Sequence, residues 1–158
     1  MDQGGLPERL IAVCCGLVIL ALWVVGVTVH EVTRHLIQTA PLFIGVVFGF
    51  RSASPTRWAA LALGLFWLAI AGVIALHLTG VAHLVTGTFS RREVGMVWVI
   101  GVCSAATILL ALVSRSSLRL PTGIAVFVVV AAVQVGAMAL SLEPGFAHDQ
   151  GGLIHIDD

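Results

Sequence analysis

The residues of this sequence best suited to chemistry are six histidines, His30, His35, His77, His83, His148 and His155, each near the end of an apolar run or in the C-terminal tail. Imidazole and carboxylate are ligands for zinc, copper or iron, and a transition-metal site would draw on Glu31, His35, His77 and His83. Glu31 and His35 are four residues apart and share a face if one helix runs on through the turn, as His30 and Arg34 share another. A b-type haem needs an axial histidine from each of two helices at similar depth, and His30 with His77 is the pair so placed. Neither reading has a second supporting feature. No pair has the dense spacing of a metal motif and no glycine is placed for a porphyrin face, so interfacial hydrogen bonding without a cofactor is the plainer expectation. His148, Asp149, His155, Asp157 and Asp158 read as a solvated acidic tail with weak affinity for cations. Histidines gathered on one face would also respond to an acidic exterior.

Other reactive groups are sparse. Cys14 and Cys15 stand near the start of the first apolar run and Cys103 near the middle of the fourth. Their different depths and the absence of a C-x-x-C spacing predict buried thiols rather than disulfides. The residues before Cys14 and Cys15 do not suit lipid attachment. Gln38, Ser104, Thr107 and Gln134 are the polar residues within the runs, whose centres hold no Asp, Glu, Lys or Arg. An intramembrane charge marks proton relays and ion paths, so its absence argues against a proton-coupled transporter or an ion pore made by this chain alone. A small-solute channel formed by an oligomer would need a polar stripe around Gln38, Thr39 and Gln134, whereas Gln134 is expected to hydrogen-bond across a helix interface. No nucleophile grouping, phosphate loop or dinucleotide fingerprint is present.

These groups must be positioned by elements that live in lipid. Of the 158 residues 59% are hydrophobic and 10% charged, against about 25% charged in soluble domains. Arg supplies all eight basic residues, balanced by eight acidic ones to a net charge of zero. That leaves no basic footprint for nucleic acid, and the lipid bilayer is the expected partner.

Five apolar runs stand out: Leu10 to Val29, Val32 to Phe50, Trp58 to Leu78, Val94 to Val113 and Pro121 to Leu142. Four reach the ~20 residues a crossing needs. The second has a charge-free core only from Leu36 to Phe50 and contains Gln38, Thr39 and Pro41, so Arg34 and His35 must snorkel if it spans. The expected fold is an all-α polytopic integral membrane protein with five transmembrane helices, or four if that run is re-entrant. Residues 1–142 would form one transmembrane domain and residues 143–158 a polar tail.

Helix-end chemistry supports this segmentation. Pro7 and Glu8 suit the first turn of the first helix, and Ser54 with Pro55 reads as an N-cap and first-turn proline. Ser90 and Glu93 have the spacing of a capping box. Gly80 suits a helix end, and Pro121 a helix start. Val81, Leu84, Val85 and Phe89 have the spacing of a short interfacial helix, with an anchored loop as the equal alternative.

Met1 to Arg9 lacks the positive region of a cleaved signal, so the first helix is expected to be retained. Arg9, Arg51, Arg57, Arg115 and Arg119 fall on one side of a five-crossing chain and Arg34, Arg91 and Arg92 on the other. The positive-inside rule then predicts a cytoplasmic N-terminus and an outer C-terminus, in a cell membrane such as a bacterial plasma membrane. All six histidines would share the outer side. Trp58 and Trp98 are the expected interface anchors.

Small residues mark where helices can approach: Gly45 with Gly49, Ala12 with Gly16, Ala60 with Gly64, and Ala132 with Gly136. Together with the uncharged helix centres they predict a non-enzymatic subunit or accessory factor, in a homo-oligomer or a larger membrane complex. A haem or metal redox protein is the alternative.

Overall fold

A computed structural model describes residues 5–81 and 89–143, which contain helices and turns but no strand. The helices are α1 (Leu6–Thr28), α2 (Val32–Thr39), α3 (Leu42–Phe50), α4 (Thr56–Leu78), α5 (Arg91–Val113) and α6 (Leu120–Ser141). α1, α4, α5 and α6 are each long and apolar enough to cross a membrane. At 1.5 Å per residue they measure about 34 Å, against about 30 Å of hydrocarbon.

The run expected as one helix over Val32–Phe50 is two, α2 and α3, bent by 46° at a break. Pro41 is the cause, because it has no N–H to return to the carbonyl four residues back. The Ala40 N–H is shared between the Leu36 and Ile37 carbonyls, at 3.2 and 3.3 Å.

The bent pair nevertheless runs the whole length of α1, antiparallel to it. His35 of α2 packs on Gly26, near the end of α1, and Gly45 of α3 packs on Cys15, midway along it. Gly49 then lies on Glu8 and Ala12, and Ser52 beside Gly5. From Gly5 to Gly26 α1 rises about 30 Å. A re-entrant loop would turn back to the end where it began; this pair reaches the opposite end of α1, as a broken span does.

Three helix ends close with paired backbone bonds around a residue of positive φ. After α4, Gly80 (φ 73) donates to the His77 carbonyl at 3.0 Å and Val81 to that of Leu76 at 3.1 Å, as Gly80 predicts. The ends of α1 and α3 place His30 (φ 56) and Ser52 (φ 46) in the same role. His30 therefore stops α1, and the helix does not run on through the turn to His35.

At the helix starts, Pro7 and Pro121 lie in the first turns of α1 and α6. Ser90 and Glu93 form the expected capping box on α5, with Ser90 N–H donating to the Glu93 carboxylate at 2.6 Å. Ser54 does not cap α4. Its hydroxyl faces Ser117 at 2.7 Å, tying the α3–α4 turn to the α5–α6 turn, while Pro55 occupies the cap position.

The core lies between α1, α4 and α5, where Ile11, Cys15, Val18, Leu63, Trp67 and Ala111 are almost fully buried. α2 and α3 cover a second side of α1, and α6 packs on α4 and α2. One end of the bundle gathers Gly5, Ser52, Ser54, Ser117 and the start of α6; the other gathers His30, Glu31, Arg34, His77 and the start of α5.

Candidate functional site

The end of the bundle that holds the described histidines is built around the α1–α2 turn. With His30 in the left-handed conformation, the chain reverses so that Glu31 leads into α2. The Arg34 guanidinium pairs with the Glu31 carboxylate at 2.8 Å, their side chains 30% and 16% exposed. A pair this open to solvent contributes at most about 1 kcal/mol, so it orients the two groups more than it stabilises the fold. His35 Nδ1 donates to the Glu31 carbonyl at 2.9 Å. The His77 ring meets Phe89 edge-on at 6.0 Å between centroids.

A cavity of about 540 Å³ opens among α1, α2, α4, α5 and α6 at this end. Leu22 and Val25 of α1 and Val29 just after it line the cavity, with Trp67, Ile70 and Ile74 of α4. These residues recur at helical spacing, so the cavity descends from the turn region to the level of Trp67, midway along α4. Glu31, Arg34, His35, Gln38 and Glu93 supply its polar lining. Two buried N–H donors of the lining, Arg34 Nε and Trp67 Nε1, have no partner among the described residues.

Below the turn a set of buried polar side chains seals the helix break. Gln134 of α6, fully buried, donates through Nε2 to the Gln38 carbonyl at 3.1 Å. The Gln38 side chain donates to Ser141 Oγ at 3.0 Å, and the Trp23 indole donates to Thr39 Oγ1 at 3.1 Å. In lipid, irregular backbone survives only where protein satisfies its polar groups. Gln38, Thr39 and Gln134 are thus buried inside one chain, Gln134 Oε1 without a partner among the described residues, and they do not form the outward polar stripe that an oligomeric channel would need.

The expected ligand set for a metal or haem divides. Glu31 and His35 line the cavity, His30 is exposed at the turn, His77 lies near the end of α4, and His83 lies outside the described residues. Among the described residues no three His, Cys, Asp or Glu side chains are grouped so as to hold a metal ion. His148, His155 and the acidic tail residues beyond Glu143, like Leu84 and Val85 of the expected interfacial segment, also lie outside the described residues.

The small-residue pairs divide too. A Cβ on Gly45 would stand 2.7 Å from Cys15 Sγ, and one on Gly49 2.5 Å from the Glu8 carbonyl, so this pair lets α3 close onto α1. Ala60 is fully buried, and Gly64 admits the Ser104 carbonyl of α5. Ala132 and Gly136 face away from the bundle, with no atom near the position of a Gly136 Cβ. They belong to an exposed seam on α6, Ala125, Val129, Ala132, Gly136 and Ala139. Beside it, between α3 and α6, lies an apolar groove of about 710 Å³ bordered by Phe43, Val47, Ala125 and Val129. Trp98 is 67% exposed, as an interface anchor would be. Trp58 covers Gly123 of α6 and carries the Arg57 guanidinium over its ring at 5.7 Å.

The sequence reading missed Trp67, Arg34 and Glu93 as parts of a site. Trp67 looks like any aromatic in an apolar run, and only the convergence of five helices places the three on one cavity.

Apolar spans, charged groups gathered at the two ends and a broken helix sealed by buried amides define a multi-pass helical membrane protein. No protein-family pattern, curated protein or solved structure matches the chain.

Proposed function

We propose that the chain is a non-enzymatic subunit or accessory factor of a membrane assembly, joined to its partner through the outer face of α6. The carrying observation is the exposed seam Ala125, Val129, Ala132, Gly136 and Ala139, on the span least covered by the rest of the chain. Only 17% of the α6 span is buried, against 44% for α1. Alternating steps of four and three residues are the spacing at which two helices cross near 20°. Van der Waals contact drives helix association in lipid, and small residues let backbones approach. The seam can meet its own copy about a two-fold axis, so a homodimer is the simplest assembly.

Native mass spectrometry after mild detergent extraction tests this reading. A dimer or a defined larger complex is expected for the native chain, and a monomer for Gly136→Leu with unchanged helix content. A native chain that is a clean monomer with no co-purifying protein overturns the proposal.

A further inference from the structure

We infer that the cavity at the histidine-bearing end binds a neutral lipophilic molecule that carries carbonyl oxygens. At about 540 Å³ it is within the range of small-molecule sites, roughly 300–1,000 Å³, and its mostly apolar walls with a few convergent polar groups match their usual lining. Two features of that lining select the ligand.

The first is the orphaned donors. Trp67 is 2% exposed, and its indole N–H has no partner among the described residues; Arg34 Nε–H at the upper, polar part of the lining is likewise buried and unpaired. A buried donor without a partner is costly, and a carbonyl oxygen relieves that cost. Unpaired donors on two residues of the lining, Trp67 midway along α4 and Arg34 in the polar part, favour a molecule with acceptors on an apolar frame.

The second is charge. Glu31 and Arg34 neutralise each other at 2.8 Å, and the His35 ring is tied through Nδ1 to the Glu31 carbonyl. Glu93 remains, one carboxylate held by its own capping box. A carboxylate or phosphate ligand would be repelled by Glu93, while a cation, which brings no acceptor, would leave the Trp67 and Arg34 N–H groups unpaired. A neutral carbonyl compound, either a quinone ring or the ester group of an uncharged lipid, meets both conditions. The inference is independent of the α6 seam, on the other side of α6's contacts.

The test is titration calorimetry of the full chain in lipid nanodiscs with four probes: decyl-benzoquinone, dioctanoylglycerol, decanoate and decyltrimethylammonium. Saturable one-site binding is expected for at least one neutral probe, and which of the two binds more tightly assigns ring or ester. Decanoate should bind at least about tenfold more weakly, from one close like charge in a partly screened site. Trp67→Phe keeps the ring but removes the donor and should weaken binding by about tenfold. Ala71→Leu fills the wall of the cavity and should abolish binding, with helix content by circular dichroism confirming that each variant is folded. The inference is overturned if neither neutral probe saturates, if decanoate or the ammonium probe binds as tightly, or if folded Trp67→Phe binds like the native chain.

Discussion

The side-chain amide of Gln134 on α6 donates to the backbone carbonyl of Gln38, 96 residues away, at the bend between α2 and α3. Pro41 breaks the helix, and α6 completes the hydrogen bonding that the break disturbs. A polar residue in the last apolar run thus serves the break that a proline makes in the second.

Gln134→Leu is expected to destabilise the bundle by about 1–2 kcal/mol. It leaves the Gln38 carbonyl buried and unpaired, a cost tempered because an unfolded chain in lipid finds other partners. Unfolding by dodecyl sulfate in mixed micelles measures the change. A midpoint identical to that of the native chain would show that the Gln134 bond has no energetic weight.

Glycines at close contacts should behave oppositely to glycines in open positions. Gly49→Ala puts a Cβ 2.5 Å from the Glu8 carbonyl, a backbone atom that cannot swing aside, and should cost about 1–3 kcal/mol as overpacking does. Gly16→Ala and Gly72→Ala meet nothing within 4 Å. They should be neutral or stabilise by up to about 1 kcal/mol through helix propensity. The same micelle titration compares all three, and equal effects would contradict the packing of α3 on α1.

Much of this architecture was legible in the sequence, and most of the losses have a common cause. The apolar runs, the capping box at Ser90, the stop at Gly80 and the cross-helix role of Gln134 follow from local chemistry that lipid does not alter. Which face of each helix packs does not. A soluble helix advertises its core face by contrast with a polar one, but α6 is apolar on every side, so Ala132 and Gly136 look the same as Gly45 and Gly49. Only the structure separates a seam turned outward from one turned toward α1. His30 escaped for another reason: glycine is the expected residue at positive φ, and a histidine there leaves no pattern to read.

His30 is a histidine in a glycine's position, and its substitution has a predictable sign. His30→Gly should stabilise the chain by about 1 kcal/mol, because a Cβ at positive φ is a steric cost that glycine avoids. His30→Val should destabilise it by at least as much, since a β-branched side chain tolerates that conformation least. Thermal unfolding of the two variants in detergent checks the order. If His30→Gly were less stable than the native chain, the imidazole itself would be holding the turn.

The broken span makes a prediction about sidedness that separates five crossings from four. If α2 and α3 together cross the bilayer, Leu6 and Ser117 lie on the same side, because the Ser54–Ser117 contact brings the α5–α6 turn to the end where α1 begins. If the pair instead turned back, every later element would be inverted and the two positions would face opposite sides. Variants with one added cysteine, Leu6→Cys and Ser117→Cys, labelled with a membrane-impermeant maleimide, distinguish the cases, since the native cysteines all lie within spans. Both variants are expected to label only after the membrane is permeabilised. Arg9, Arg51, Arg57, Arg115 and Arg119 gather at that end, and the excess of basic residues favours the inside. Thr79→Cys, at the other end of α4, should label in intact cells. Opposite labelling of Leu6→Cys and Ser117→Cys would mean that the ladder from Gly26 to Gly5 does not cross the bilayer, and the cavity would then open on a different side from the one the arginines predict.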